Sequence, residues 1–231
     1  MIANTYKKMF EALMPSNLEK FAKKDKGTVG EGIKVYFLAW IVSLILGIAG
    51  ILLAVSAAGP EMNTLAQMIG WNTVGVLGIG LVVILSVIGL VGALAMQYVS
   101  QYVGNWCALS VFKGKGSFAQ QFYTVMLFTA GLLIITEALS FLGLVLPMIA
   151  FVTSIISMLF GLYGLYLLYV AIKSVHSLDV GGGIASMIVT LLAGFVFAII
   201  VGVIIGFVLV SVFGMGAVAG GLASSGGNLG V

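Results

Sequence analysis

Few residues in this chain can do chemistry, and they are scattered. Glu137 lies inside a long apolar run, His176 is the only histidine, and Cys107 is the only cysteine. A carboxyl among apolar residues suits ion or proton conduction, because an intramembrane acid is costly and marks a pathway by default. Its apolar run, residues 122–172, holds no second acid, histidine or lysine to complete a relay. The competing reading is a neutral glutamic acid bonded to a backbone carbonyl or to hydroxyls such as Thr153 or Ser154. One histidine cannot build a histidine-based metal cluster, and Ser174 and Asp179 are its loop neighbours rather than a nucleophile and an acid. One cysteine allows no disulfide framework. Gly75, Gly78 and Gly80 do not follow a strand, and Gly114-Lys115-Gly116-Ser117 lacks P-loop spacing. No catalytic residue, metal or cofactor is expected, and the chain is not read as an enzyme.

The elements that must position these residues are membrane spans. Charged residues are 7% of the chain against 61% apolar, with a mean hydropathy of +1.24, which leaves too little charge to cover a soluble 231-residue domain. A bilayer core of roughly 30 Å takes about 20 apolar residues in helix. The apolar runs predict an all-α, polytopic fold with five transmembrane helices, at about 36–58, 74–97, 122–146, 149–171 and 186–212. Gly59-Pro60 ends the first and the polar stretch Glu61–Asn72 precedes the second. Pro147 splits the long apolar block into spans three and four. Residues 214–231 form a Gly/Ala/Ser-rich tail with no structural signal. Glu137 then sits roughly 15 Å from the Pro147 turn at 1.5 Å per residue.

All ten lysines fall in segments that five spans place on one side. Lys7, Lys8, Lys20, Lys23, Lys24, Lys26 and Lys34 precede span one, Lys113 and Lys115 separate spans two and three, and Lys173 follows span four. Loops that carry lysine stay in the cytoplasm, so the N-terminus is expected inside and the C-terminus outside. The lysines are too few and too dispersed for a nucleic-acid binder. Tyr36, Trp40, Tyr98, Tyr102, Trp106, Tyr163, Tyr166 and Tyr169 gather toward the same side, as interface aromatics do. Residues 1–34 form a lysine-rich cytoplasmic segment with two short amphipathic helices broken at Pro15. Met9, Phe10 and Leu13 share one apolar face, and Leu18 and Phe21 another. Such faces beside lysines suit an anionic leaflet or a cytoplasmic protein partner.

Span five carries a small residue at every fourth position: Ser186, Thr190, Gly194, Ala198, Gly202 and Gly206. This spacing lets helix backbones approach closely. An i+4 row also drifts around the helix, so six members are expected to meet two neighbours in turn within the bundle; homo- or hetero-oligomerisation is the other use.

The order of features resembles the Yip family, named for its interaction with Ypt/Rab GTPases. The resemblance covers roughly residues 5–205. It rests on a proline-broken N-terminal segment, five spans, the loop Gly114-Lys-Gly-Ser-Phe118, and the stretch from Tyr163 to His176 (YGLYLLYVAIKSVH). It implies a five-span protein with a cytosolic N-terminus and a role in vesicle traffic, organising GTPases or coat components and associating with relatives. The Asp-Leu-Tyr-Gly-Pro motif of eukaryotic members is replaced here by GTVGEGIKVY at 27–36, a short form similar to the prokaryotic members.

Two functions are therefore expected to compete. The first is a non-enzymatic membrane scaffold whose cytoplasmic face, including Lys7, Lys8, Lys113, Lys115, Lys173 and His176, engages a partner or the lipid surface. The second is a small-solute or ion transporter or channel subunit using Glu137. A membrane-shaping wedge by the N-terminal segment is a variant of the first. A cell membrane is favoured over an internal one.

Overall fold

The computed structural model describes residues 2–57 and 71–225, with side chains described at 2–50, 52–53, 80 and 83–204. Gly59-Pro60, most of the stretch from Glu61 to Asn72, and residues 226–231 lie outside them. Among the described residues seven α-helices follow one another: α1 (Ile2–Glu11), α2 (Pro15–Lys24), α3 (Val29–Ala57), α4 (Trp71–Ser110), α5 (Phe118–Val145), α6 (Ala150–His176) and α7 (Val180–Ser225), with a 3-10 turn at Pro147–Ile149. No strand occurs among the described residues. The last five helices contain segments long and apolar enough to cross a membrane: Val29–Gly50, Val83–Ser110, Phe118–Val145, Pro147–His176 and Val180–Ile204. The chain is an all-α, five-span membrane protein.

Local chemistry sets the breaks. Pro15 occupies the first turn of α2, where its missing N–H costs nothing. A capping box starts α3: the Thr28 N–H donates to Glu31 Oε2 at 2.8 Å, and the Glu31 N–H donates to Thr28 Oγ1 at 3.2 Å. Ser117 caps α5 by accepting from the Gln120 N–H. Pro147 follows the end of α5 by two residues and opens the 3-10 turn into α6. Only three residues join α6 to α7. Ser177 turns left-handed at φ 53°, and the Asp179 carboxylate accepts from the Gly182 N–H at 2.8 Å.

Several helices outrun their apolar cores. Span two was expected to stop at residue 97, yet α4 continues to Ser110, because Gln101 and Asn105 on its last turns are buried against neighbouring helices. The loop expected over Lys173–Gly183 contracts to Ser177–Asp179. The expected tail is helical as far as Ser225, since nothing between 212 and 225 is a proline or a charge.

Helix α5 is the hub. It packs on α3 and α6 along its length, while α4 and α7 pair with each other beside this trio. The core sits at the end that carries the lysines. Residues 121–128 of α5 are buried without interruption, as are Leu167, Leu168, Val170, Ala171 and Ile172 of α6. Toward the opposite end contacts thin out: a Cβ built at Gly47, Gly89, Gly92, Gly161 or Gly202 would meet nothing within 4 Å.

The N-terminal segment completes this core instead of presenting its apolar face outward. Met9, Ala12, Leu18 and Ala22 are fully buried, and Met9, Ala12 and Leu18 join one cluster with Leu127, Ala130, Leu167 and Ile172. Helix α1 lies on α5, and α2 lies on α6 and α5. Backbone groups are tied as well: the Tyr6 hydroxyl donates to Leu38 O, and the Gln120 side-chain amide donates to Ala22 O. The face assigned to a leaflet or a partner is therefore largely spent on the bundle, with only Ile2, Phe10 and Met14 left as large exposed apolar residues.

Candidate functional site

Among the described residues a buried polar cluster lies toward the lysine-bearing end, at the junction of α4, α5 and α6. Gln121, fully buried, donates its side-chain amide to Gln101 Oε1 at 2.7 Å and to the Gln101 main-chain oxygen at 3.2 Å. A main-chain oxygen only accepts, so the Gln121 amide nitrogen must face α4 and its Oε1 must face α6. There His176 Nε2 lies 2.7 Å away. His176 must then carry its proton on Nε2, leaving Nδ1 as a bare acceptor. Nδ1 is buried with no hydrogen-bond partner among the described residues, and so are Asn105 Oδ1 and Ser186 Oγ.

His176 was expected in an exposed loop on the cytoplasmic face. It is the last residue of α6 and is fully buried. The reason is the loop between α4 and α5, which folds over it. The Lys115 N–H donates to His176 O at 3.1 Å, and Lys113 adopts φ 59° to bring the chain round. Both glycines of this loop are sterically required. A Cβ at Gly114 would come within 2.8 Å of His176 Cβ, and one at Gly116 within 2.5 Å of Val175 O. The loop 114–118 and the end of α6 thus pack against each other.

Most of the lysines are exposed. Lys7, Lys20, Lys23, Lys24, Lys26, Lys34, Lys113 and Lys115 are exposed, while Lys8 and Lys173 are half-buried. Lys8 Nζ meets Asp25 Oδ2 at 2.8 Å, tying α1 to the end of α2, and this hydrogen bond raises the Lys8 pKa above its ordinary 10.5. Lys173 Nζ sits 5.6 Å over the Tyr169 ring. Several acids are engaged locally: Glu11 with Lys7 at 3.8 Å, Asp25 with Lys8, and Glu31 and Asp179 as helix caps.

Glu137 is half-buried on α5 and makes no hydrogen bond or ion pair among the described residues. The hydroxyls proposed for it are used elsewhere, since Thr153 and Ser154 both donate to Ala150 O. The small-residue row of α7 divides in two. Ser186 and Thr190 are buried; Thr190 fits against Gly104 of α4, where a Cβ would come within 1.8 Å of its Oγ1, and Gly194 faces Ser100. Ala198 and Gly202 are exposed, and the Gly206 side-chain position lies outside the described residues. The row meets one neighbour over its first half, and the expected second neighbour is not seen at Gly202. Among the aromatics, Tyr98, Tyr102 and Trp106 are exposed, whereas Tyr36 is buried and Trp40 donates to Ser86 Oγ.

Sequence reasoning missed Gln101, Asn105 and Gln121, which fell at or beyond the expected span limits. Their signal was there: three amides on two apolar helices, which burial must pair. Among the described residues no three His, Cys, Asp or Glu side chains converge. No family model, curated protein or solved structure matches this chain.

Proposed function

We propose that this protein is a non-enzymatic membrane scaffold, Yip-like in organisation, that engages a cytoplasmic protein partner or the anionic leaflet through its lysine-bearing face. In this reading the N-terminus is cytoplasmic, the C-terminus is outside, and the protein resides in a cell membrane. The observation that supports it is that three separate lysine-bearing segments pack on α5 and α6. Helices α1 and α2 dock on α5 and α6, the 111–117 loop docks on His176, and Lys173 lies on the same end of α6. Holding a cationic surface on a packed core lowers the ordering cost of binding an acidic partner. The Glu137 transporter reading finds no hydrogen-bond or ion-pair partner for that carboxyl among the described residues.

The test uses the full chain with Lys20, Lys23, Lys24, Lys26, Lys113 and Lys115 changed to Gln. Co-purification after in-cell crosslinking, and flotation with phosphatidylserine vesicles of purified protein held in a soluble scaffold, should both fall sharply relative to the parent. Unchanged capture and unchanged flotation would sink the scaffold reading. Cysteines placed at residues 23 and 115 should resist an impermeant maleimide in intact cells; labelling there would reverse the orientation.

A further inference from the structure

A groove of about 370 Å³ runs between α4, α5, α6 and α7, separate from the lysine-bearing segments. Its two ends differ in chemistry. Near the lysine-bearing end it is lined by Gln101, Ser100, Thr129 and Thr190; farther along it is lined by Gly161, Gly164, Phe195 and Ala198. Gly161, Leu165, Leu191 and Phe195 are exposed, so the groove opens sideways between α6 and α7, toward the surrounding lipid.

The polar end has a donor to spare. Gln101 is 98% buried, at 2% exposure. Its Oε1 is taken by Gln121, its side chain lines the groove, and its amide nitrogen donates to no described residue. Ser100 and Thr190 spend their own hydroxyl hydrogens elsewhere: Ser100 donates to Gln97 O and Thr190 to Ser186 O. An amide donor without a protein partner in the wall of a groove is a recognition element for an acceptor group. The remaining length of the groove is apolar with glycine walls, which leaves room for a narrow chain.

We propose that this groove binds a single acyl chain of a membrane amphiphile, with its carboxyl or ester carbonyl accepting from the Gln101 amide. The head then points to the lysine-bearing end, and the chain runs past Gly164 and Gly161 toward the middle of the bilayer. Gln101 lies nine residues from the end of α4, roughly 13 Å along the axis.

The experiment is photolabelling of the full chain in vesicles, using a diazirine palmitic acid and, separately, a diazirine monoacyl phosphatidylcholine, with adducts mapped by peptide mass spectrometry. Adducts should concentrate on residues 161–168 and 191–198. The probe that labels more strongly identifies free acid or ester as the head. Gln101→Leu should weaken labelling about tenfold, the worth of one buried hydrogen bond. Gly161→Leu, whose Cβ meets nothing within 4 Å, should block the groove while leaving thermal unfolding unchanged. Gly202→Leu has equal space, lies outside the groove and should label as the parent does. Labelling at the groove no stronger than at exposed Val203, or indifferent to Gly161→Leu, overturns the proposal. So does a dimer trapped by a cysteine at position 161, which would seat a second copy there.

Discussion

Gln121 Oε1 accepts from His176 Nε2 at 2.7 Å, and this contact joins α5 to α6 where Gln121 also joins α5 to α4. One side chain therefore holds three helices at the end where the core is densest. Gln121→Leu should leave the His176 N–H and the Gln101 oxygen buried and unpaired, at a cost of about 1–3 kcal/mol each. Thermal unfolding in nanodiscs should shift down by several degrees. Adding His176→Leu should recover part of the loss, because it removes one of the stranded groups. A Gln121→Leu variant that melts like the parent would show that the network contributes nothing.

The glycines separate into required and idle ones. Gly116→Ala drives a methyl to within 2.5 Å of the Val175 carbonyl, a backbone atom that cannot swing aside. It should destabilise the protein by about 1–3 kcal/mol. Gly202→Leu should be neutral to stability, since its Cβ meets nothing within 4 Å. The i+4 spacing alone would place Gly202 against a neighbouring helix, where a leucine destabilises the bundle or dissociates an oligomer. Melting temperatures of the two variants, measured side by side, check both statements.

How much of this was legible in the sequence follows from what hydropathy can carry. The five spans and the break at Pro147 are consequences of apolar length and of proline chemistry, and both are local. The burial of His176 is not local: it needs the 111–117 loop, more than fifty residues away, to fold over the end of α6. The ends of α4 and α6 were misjudged for the same reason. Gln101, Asn105 and Lys173 look like water-facing residues until the partners that cover them are known. Amphipathicity correctly marks the apolar faces of α1 and α2, but a moment cannot tell a protein surface from a lipid one. Glu137 was conspicuous by type, while the polar junction was built from amides that no motif announces.

The N-terminal helices should behave as part of the fold. Leu18 is fully buried in the cluster that includes Leu167 and Ile172. Leu18→Ala should cost about 2–5 kcal/mol, the range for buried leucine truncation. Removing residues 1–24 should expose Leu127 and Leu167 and lower thermal stability further, so loss of partner binding in that truncation would not locate the binding face. A truncated protein as stable as the full chain would contradict the docking of α1 and α2.

The Lys8–Asp25 pair gives the docked segment a pH dependence with a defined sign. Asp25 raises the Lys8 pKa above 10.5, so the ammonium form is favoured in the folded state. The contribution of the pair is full below 10.5 and is lost as pH rises through the higher folded value. Both side chains are partly exposed, at 41% and 33%, which limits the pair to about 0–1 kcal/mol. Limited proteolysis of α1–α2 should therefore be flat from pH 7 to about 9.5 and rise by up to roughly fivefold above 10.5. Lys8→Met should already show the faster cleavage at pH 8 and add no further rise from this pair. Equal pH profiles for the two proteins would show that the ion pair does not hold α1 to α2.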